Sequence, residues 1–163
     1  MKILVVQNKM GIGDMVIYLP FIKAISKKFN TTVSILVKES SKAEQFLKNN
    51  NFIDKIIILE RDNKQKSGRH EGLVGSYNLV KDLKQYDFDK VFIFNSSIRF
   101  NLIVRAARIK NIYQYPLLQK KDQHVVQAAK KLLKKNLDLS VETNPKISIN
   151  DHSVKEARSR YKI

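Results

Sequence analysis

The sequence predicts a doubly wound α/β domain, a parallel sheet with helices on both faces. Short apolar runs rich in β-branched residues recur along the chain, and a helical pattern separates most of them from the next. The chain has 163 residues, 43% of them hydrophobic, which is enough to bury one real core, so a single such domain is expected. Strands are expected over residues 2–7, 33–37, 55–59 and 90–94, with a shorter one at 112–115. Helices are expected over 15–29, 41–48, 73–85, 98–107 and 124–137. No internal repeat interrupts the alternation.

The first strand, Lys-Ile-Leu-Val-Val-Gln, runs into a tight loop over residues 8–14 that contains Gly11, Gly13 and Asp14. The helix that follows sets Tyr18, Ile22, Ile25 and Phe29 on one face and Lys23, Lys27 and Lys28 on the other. Pro20 removes a backbone donor inside that helix, which predicts a kink or a late start. Strand, glycine loop and helix in this order place Asp14 outside the carboxyl end of a strand, where open α/β sheets carry their chemistry. Two readings of Asp14 follow: a helix cap, or a general base that takes a proton from a substrate hydroxyl. The loop fails as a dinucleotide fingerprint, since the third glycine would have to stand at Val16, and it has no Walker lysine-serine pair.

Residues 60–75 break the rhythm, with Arg61, Lys64, Lys66, Arg69 and His70 crowded among Gly68, Gly72 and Gly75. Such a stretch is either a solvated loop or an electropositive flap for an acidic acceptor, diluted by Glu60 and Asp62. Asn95-Ser96-Ser97-Ile98-Arg99 repeats the strand-to-helix geometry of the Asp14 loop. Ser96 or Ser97 can cap the helix, and Arg99 can offer a two-pronged contact to a carboxylate or phosphate. Asp14 and Arg99 face one cleft if their strands are neighbours.

Composition excludes several chemistries. There is no cysteine, hence no disulfide framework and no thiol nucleophile. His70, His124 and His152 have no i, i+4 pairing, so a zinc site is not expected, and His124 reads as a helix-start residue. No Gly-x-Ser-x-Gly elbow occurs, and Asp14 has no second carboxylate to work with as in a hydrolase. No run approaches a membrane span. The 31 basic and 15 acidic residues give a net charge of +16. With 24 lysines and 7 arginines, spread along helix faces, a nucleic-acid partner is not expected. A lysine-rich solvated exterior, or an anionic lipid or phosphosugar partner, accounts for the excess.

The opening M-K-I-L-V-V-Q…G-I-G-D-M-V…L-P…I-K-A-I resembles that of glycosyltransferase family 9, the heptosyltransferases of lipopolysaccharide core assembly. Later segments run parallel in the same order: residues 33–38, then 49–57 (with Asn51-Phe52 replacing a usual proline dipeptide), then 88–99, then His124 before a long helix. The turn after that helix reads Leu137-Asp138-Leu139, without the family's glycine. The resemblance implies a Rossmann-like, doubly wound parallel sheet forming the N-terminal half of a GT-B glycosyltransferase. It divides the chain into an acceptor-binding domain over 1–145 and a linker and helix over 146–163, which would lead toward a nucleotide-sugar domain lying outside this chain. It implies inverting, metal-independent transfer of heptose from ADP-heptose to an anionic glycolipid acceptor, with Asp14 as base. Acceptor binding falls to Met10, Gly11, Gly13, Arg61, Lys64, Arg69, Ser97 and Arg99. No cofactor is expected. The donor would be held mainly by the other domain, leaving this chain inert alone. The protein is expected in the cytoplasm, peripherally at the inner face of the inner membrane.

Two rivals remain at this stage. One is a stand-alone basic α/β module that binds anionic lipid or nucleic acid without chemistry. The other is a different nucleotide-dependent α/β enzyme in which Gly11 and Gly13 cradle a phosphate.

Overall fold

The first strand, β1 (Ile3–Gln7), is buried along its whole length and lies at the centre of the sheet. A computed structural model of the chain describes residues 1–9, 11–47, 50–61, 68–117, 124–144, 155 and 158–160. The elements after β1 are α1 (Ile12–Phe29), β2 (Val33–Lys38), a 3-10 turn (Glu39–Ser41), α2 (Ala43–Leu47), β3 (Ile53–Leu59), α3 (Gly72–Lys84), β4 (Lys90–Ile93), α4 (Ile98–Ala106), β5 (Asn111–Gln114) and α5 (Val125–Leu137). The strands form one sheet in the order β3-β2-β1-β4-β5, every pair parallel. The expected doubly wound α/β architecture is therefore present, and each expected strand and helix has its counterpart.

Strand parity assigns each face its helices. Ile3 and Val5 of β1, with Val33, Ile35 and Val37 of β2, face a core built with Tyr18, Ile22 and Ile25 of α1 and Ala129, Leu132 and Leu133 of α5. Leu4 and Val6 face the opposite way, packing with Leu79 and Leu83 of α3 and Phe100, Ile103 and Val104 of α4. A strand apolar on both sides can only be the interior of a covered sheet. That is why residues 3–6 carry no polar side chain.

The first helix departs from expectation. It starts at Ile12 and continues through Pro20 to Phe29, so the late start is not found. The proline costs the Val16 carbonyl its helical donor, but Leu19, Phe21 and Ile22 around it are buried and hold the helix to the sheet. β3 begins two residues before the expected position, and Phe94 lies just past β4, its N–H donating to the Val6 carbonyl at 3.1 Å. The linker expected over 146–163 lies almost entirely outside the described residues.

Phe92 is fully buried, its ring stacked on Tyr113 at 4.7 Å between centroids and tilted against Phe29 at 6.1 Å. Phe92→Ala is expected to cost about 3–5 kcal/mol of unfolding free energy, measured by chemical denaturation. A loss under about 1 kcal/mol would mean that this face is not packed as described.

Candidate functional site at the carboxyl edge of the sheet

The sheet order puts β1 and β4 side by side, with Ile3 against Lys90 and Val6 against Ile93. β2 lies on the other side of β1, so the chain leaves β1 in one direction and returns to its opposite flank. This is the topological switch point, and the crevice outside the carboxyl ends of β1 and β4 is where such sheets bind ligands. The loops that lead into the Asp14 turn of α1 and the Arg99 turn of α4 thus leave neighbouring strands. A side-chain bond joins them: Asn95 Nδ2 donates to Asn8 Oδ1 at 3.0 Å.

An amide network sets the floor of this edge. Asn95 Oδ1 accepts the Ser97 N–H at 2.9 Å, and Gln114 Nε2 donates to the carbonyls of Asn95 (3.1 Å) and Ser97 (2.9 Å). Asn101 Nδ2 donates in turn to Gln114 Oε1 at 2.7 Å. Ser97 occupies the N-cap position of α4, but its hydroxyl makes no capping bond; Asn95 supplies the turn instead. None of Asn8, Asn95 and Gln114 was singled out from the sequence. The only signal available was an amide residue at the end of a strand.

Asp14 is not the cap of α1. Gly11 holds that position at φ 95°, a left-handed backbone that favours glycine, and no side chain caps the helix. Asp14 sits in the first turn, where a carboxylate favours the helix electrostatically. Gly13 faces open space, so its small size keeps bulk away from Asp14 rather than relieving a clash. Among the described residues, Asp14 and Asp82 are the two half-buried acidic side chains; the others are exposed. Asp82 is held on two sides. Asp14 makes no hydrogen bond or ion pair with any described residue, so its oxygens are available to a substrate.

Asp82 on α3 receives both prongs of Arg69, Nε at 3.0 Å and Nη2 at 2.6 Å, and meets His70 Nε2 at 3.0 Å. His70 is buried and its Nδ1 accepts the Glu60 N–H at 3.0 Å, so Nε2 carries the proton and donates to Asp82. Arg69, and after it His70, hold the Asp82 carboxyl below the usual carboxylate range. Arg99 joins the same assembly, Nε donating to Ser76 Oγ at 2.9 Å and Nη2 to the His70 carbonyl. Arg69, His70 and Arg99 therefore brace the base of the basic loop against α3 and α4. Glycine is required here too, since a Cβ at Gly75 would meet the His70 carbonyl carbon at 2.1 Å. Arg61 is half-buried just beyond β3. Met10, Lys64 and Lys66 lie outside the described residues. His124 is the N-cap of α5, its Nδ1 accepting the Val126 N–H at 3.3 Å.

Beneath the edge, Gln7 is fully buried, and neither atom of its amide has a hydrogen-bond partner among the described residues. Its parity with Ile3 and Val5 puts it on the α1 face, as Phe94 is. The Tyr18 ring is tilted against Phe94 at 5.0 Å, and Phe21 and Tyr115 also contact that ring at 6.2 and 6.1 Å. The two tyrosine hydroxyls neighbour each other without a bond of good length. Burial raises both, and the Asp14 carboxylate adds to the rise at Tyr18. Both therefore stay protonated at neutral pH. Among the described residues no group of three or more His, Cys, Asp or Glu side chains is placed to hold a metal, and no helix is long and apolar enough to cross a membrane.

No family model matches the sequence, and no curated protein does. Solved structures do. The glycosyl transferase family 9 protein of Veillonella parvula superposes with a TM-score of 0.74 at 18% identity, over 99% of this chain and 50% of its own. The ADP-heptose lipopolysaccharide heptosyltransferase II of E. coli gives 0.68 at 14% identity, over 100% of this chain and 51% of its own. The E. coli heptosyltransferase WaaC, solved with ADP-2-deoxy-2-fluoro heptose, gives 0.56 at 15%, over 88% and 50%. The fold is that of the N-terminal half of a GT-B glycosyltransferase. This chain spans about half the length of the structures it matches.

Two outcomes are expected from this geometry. Because the Asp82 carboxyl is depressed in the folded protein, its contribution is fully present above the unfolded value of about 3.9 and is lost as pH falls below it. Urea titrations should show Asp82→Asn less stable than wild type at pH 7, the gap closing in acid; a gap independent of pH would remove the ionised pair from the account. Gln7→Leu should raise unfolding free energy by about 1–2 kcal/mol, since it removes a buried amide that lacks partners. A loss of stability would show that the amide is satisfied.

Proposed function

We propose that this chain is the acceptor-side domain of a family 9 glycosyltransferase, transferring heptose from ADP-heptose to a lipopolysaccharide core acceptor with inversion. The observation that carries the reading is the position of Asp14. It is a half-buried carboxylate without a partner among the described residues, in the first turn of α1 after the loop that leaves β1 at the switch point, in a fold shared over nearly the whole chain with glycosyltransferases. In this reading an Asp14 oxygen takes the proton of an acceptor hydroxyl as the hydroxyl oxygen bonds to the anomeric carbon. The bond from that carbon to the diphosphate oxygen breaks on the opposite side, and the nucleotide leaves with its electrons. Gly11 and Gly13, with Met10, shape the approach to Asp14. Arg61 and Lys64 neutralise acidic groups on the acceptor and Ser97 lines its approach, while Arg69 and Arg99 anchor the loops. The nucleotide belongs to a partner domain, and the work to the cytoplasmic face of the inner membrane.

The test is transfer by the native gene product, supplied with ADP-heptose and a heptose-deficient lipopolysaccharide acceptor. Asp14→Asn should lower kcat by about 10²–10⁴ while the acceptor Kd stays within a few-fold. Undiminished turnover in that variant would remove Asp14 from the mechanism. Absence of transfer from any nucleotide sugar, with salt-sensitive binding to nucleic acid, would hand the protein to the binding-module reading.

A further inference from the structure

We propose that the outward faces of α3 and α4 form one surface that docks on an anionic lipid bilayer. Leu73, Val74 and Tyr77 on α3 are 91%, 74% and 70% exposed, and Ile98 and Leu102 on α4 are 56% and 61% exposed. Each set lies at helical spacing on the side opposite the buried residues of its own helix, Leu79 and Leu83 on α3 and Phe100, Ile103 and Val104 on α4. The Arg99–Ser76 hydrogen bond ties the N-terminal halves of the two helices together, so the two sets stand on adjoining helices. Exposed apolar side chains grouped on neighbouring helices mark an interaction surface.

The charge alongside the patch selects the occupant. Both helices follow parallel strands and enter from the same edge of the sheet, so their apolar halves lie side by side toward that edge. Their distal halves carry exposed cations, Lys81 and Lys84 on α3 and Arg105 on α4, with Arg108 just beyond. Neither helix has an acidic residue in its first turn, and Glu71 ahead of α3 accepts the Gly68 N–H at 3.2 Å. The rise from Tyr77 to Lys81 is about 6 Å and from Leu102 to Arg105 about 4.5 Å. That separation suits an apolar tip sunk about 5–10 Å into the acyl boundary with cations level with the phosphates. Tyr77 has the amphipathic ring found at that depth. A second copy of this chain would instead bring two basic bands together in a protein of net charge +16.

The proposal names a surface for the membrane association expected above, but its test uses neither donor nor glycolipid and so stands or falls apart from the transferase reading. The purified protein is floated with phosphatidylcholine vesicles with and without phosphatidylglycerol. Binding is expected to the anionic vesicles. Leu73→Ser with Leu102→Ser should weaken it by about tenfold or more, with an unchanged unfolding midpoint because both sites are exposed. Lys81→Glu with Lys84→Glu should reduce it toward the level on neutral vesicles. Wild-type protein left unbound by anionic vesicles would overturn the proposal. Wild-type affinity in the serine variant would too, because it would assign binding to diffuse charge alone. A dimer seen by sedimentation and abolished in the serine variant would give the patch to a second copy instead.

Discussion

The direct pairing of β1 with β4 is the constraint on which the rest of this molecule depends. It makes β1 interior, and so demands a strand apolar on both faces, as Ile3, Leu4, Val5 and Val6 provide. It also decides which loops meet. Had β4 joined the far side of β3, the Asp14 loop and the Ser97-Arg99 loop would sit at opposite ends of the sheet, each a helix start with no shared ligand space. The Asn8–Asn95 bond and the Gln114 amide then fix what the strand order permits, spacing the two loops through hydrogen bonds that apolar packing cannot supply.

The fold was legible because its signal is local and redundant. Most strands stand out as β-branched apolar runs and the helices by their periodicity, so the differences are confined to the ends. The start of α1 is not legible because it rests on a positive φ at Gly11 and on the lack of any capping side chain, and neither leaves a trace in residue identity. Pro20 does not delay the helix because its cost of about 3 kcal/mol is set against an apolar face buried in the core. Sheet order is different in kind. No residue in β1 or β4 states which strand will be its neighbour, so the common cleft stayed conditional until the pairing was seen.

The site was less legible because charge shows in a sequence and partners do not. Arg69 and Arg99 read as cations awaiting an acidic ligand, whereas each guanidinium already spans two acceptors in the fold. Their partners Asp82 and Ser76 stand many residues away along the chain, at no spacing that a motif search would recognise. His70 was visible as a basic residue in a glycine-rich loop. Its role as the buried joint between Glu60 and Asp82 depends on a tautomer that only three-dimensional neighbours determine.

This division bears on the net charge of +16. Arginine is suited to fixed, planar, two-pronged contacts, and Arg69 and Arg99 are used for them, each bonded to named groups of the fold. The lysines outnumber the arginines 24 to 7, and most of those among the described residues sit on helices, where a hydrated point charge contributes a field more than a geometry. A protein that read bases would need its forked cations free, and here Arg69 and Arg99 are committed to holding loops. What faces outward is a diffuse positive field together with an apolar patch at the first turns of α3 and α4. That pairing matches a charged surface with a greasy interior better than it matches a nucleic acid, whose phosphates offer nothing to Leu73 or Leu102.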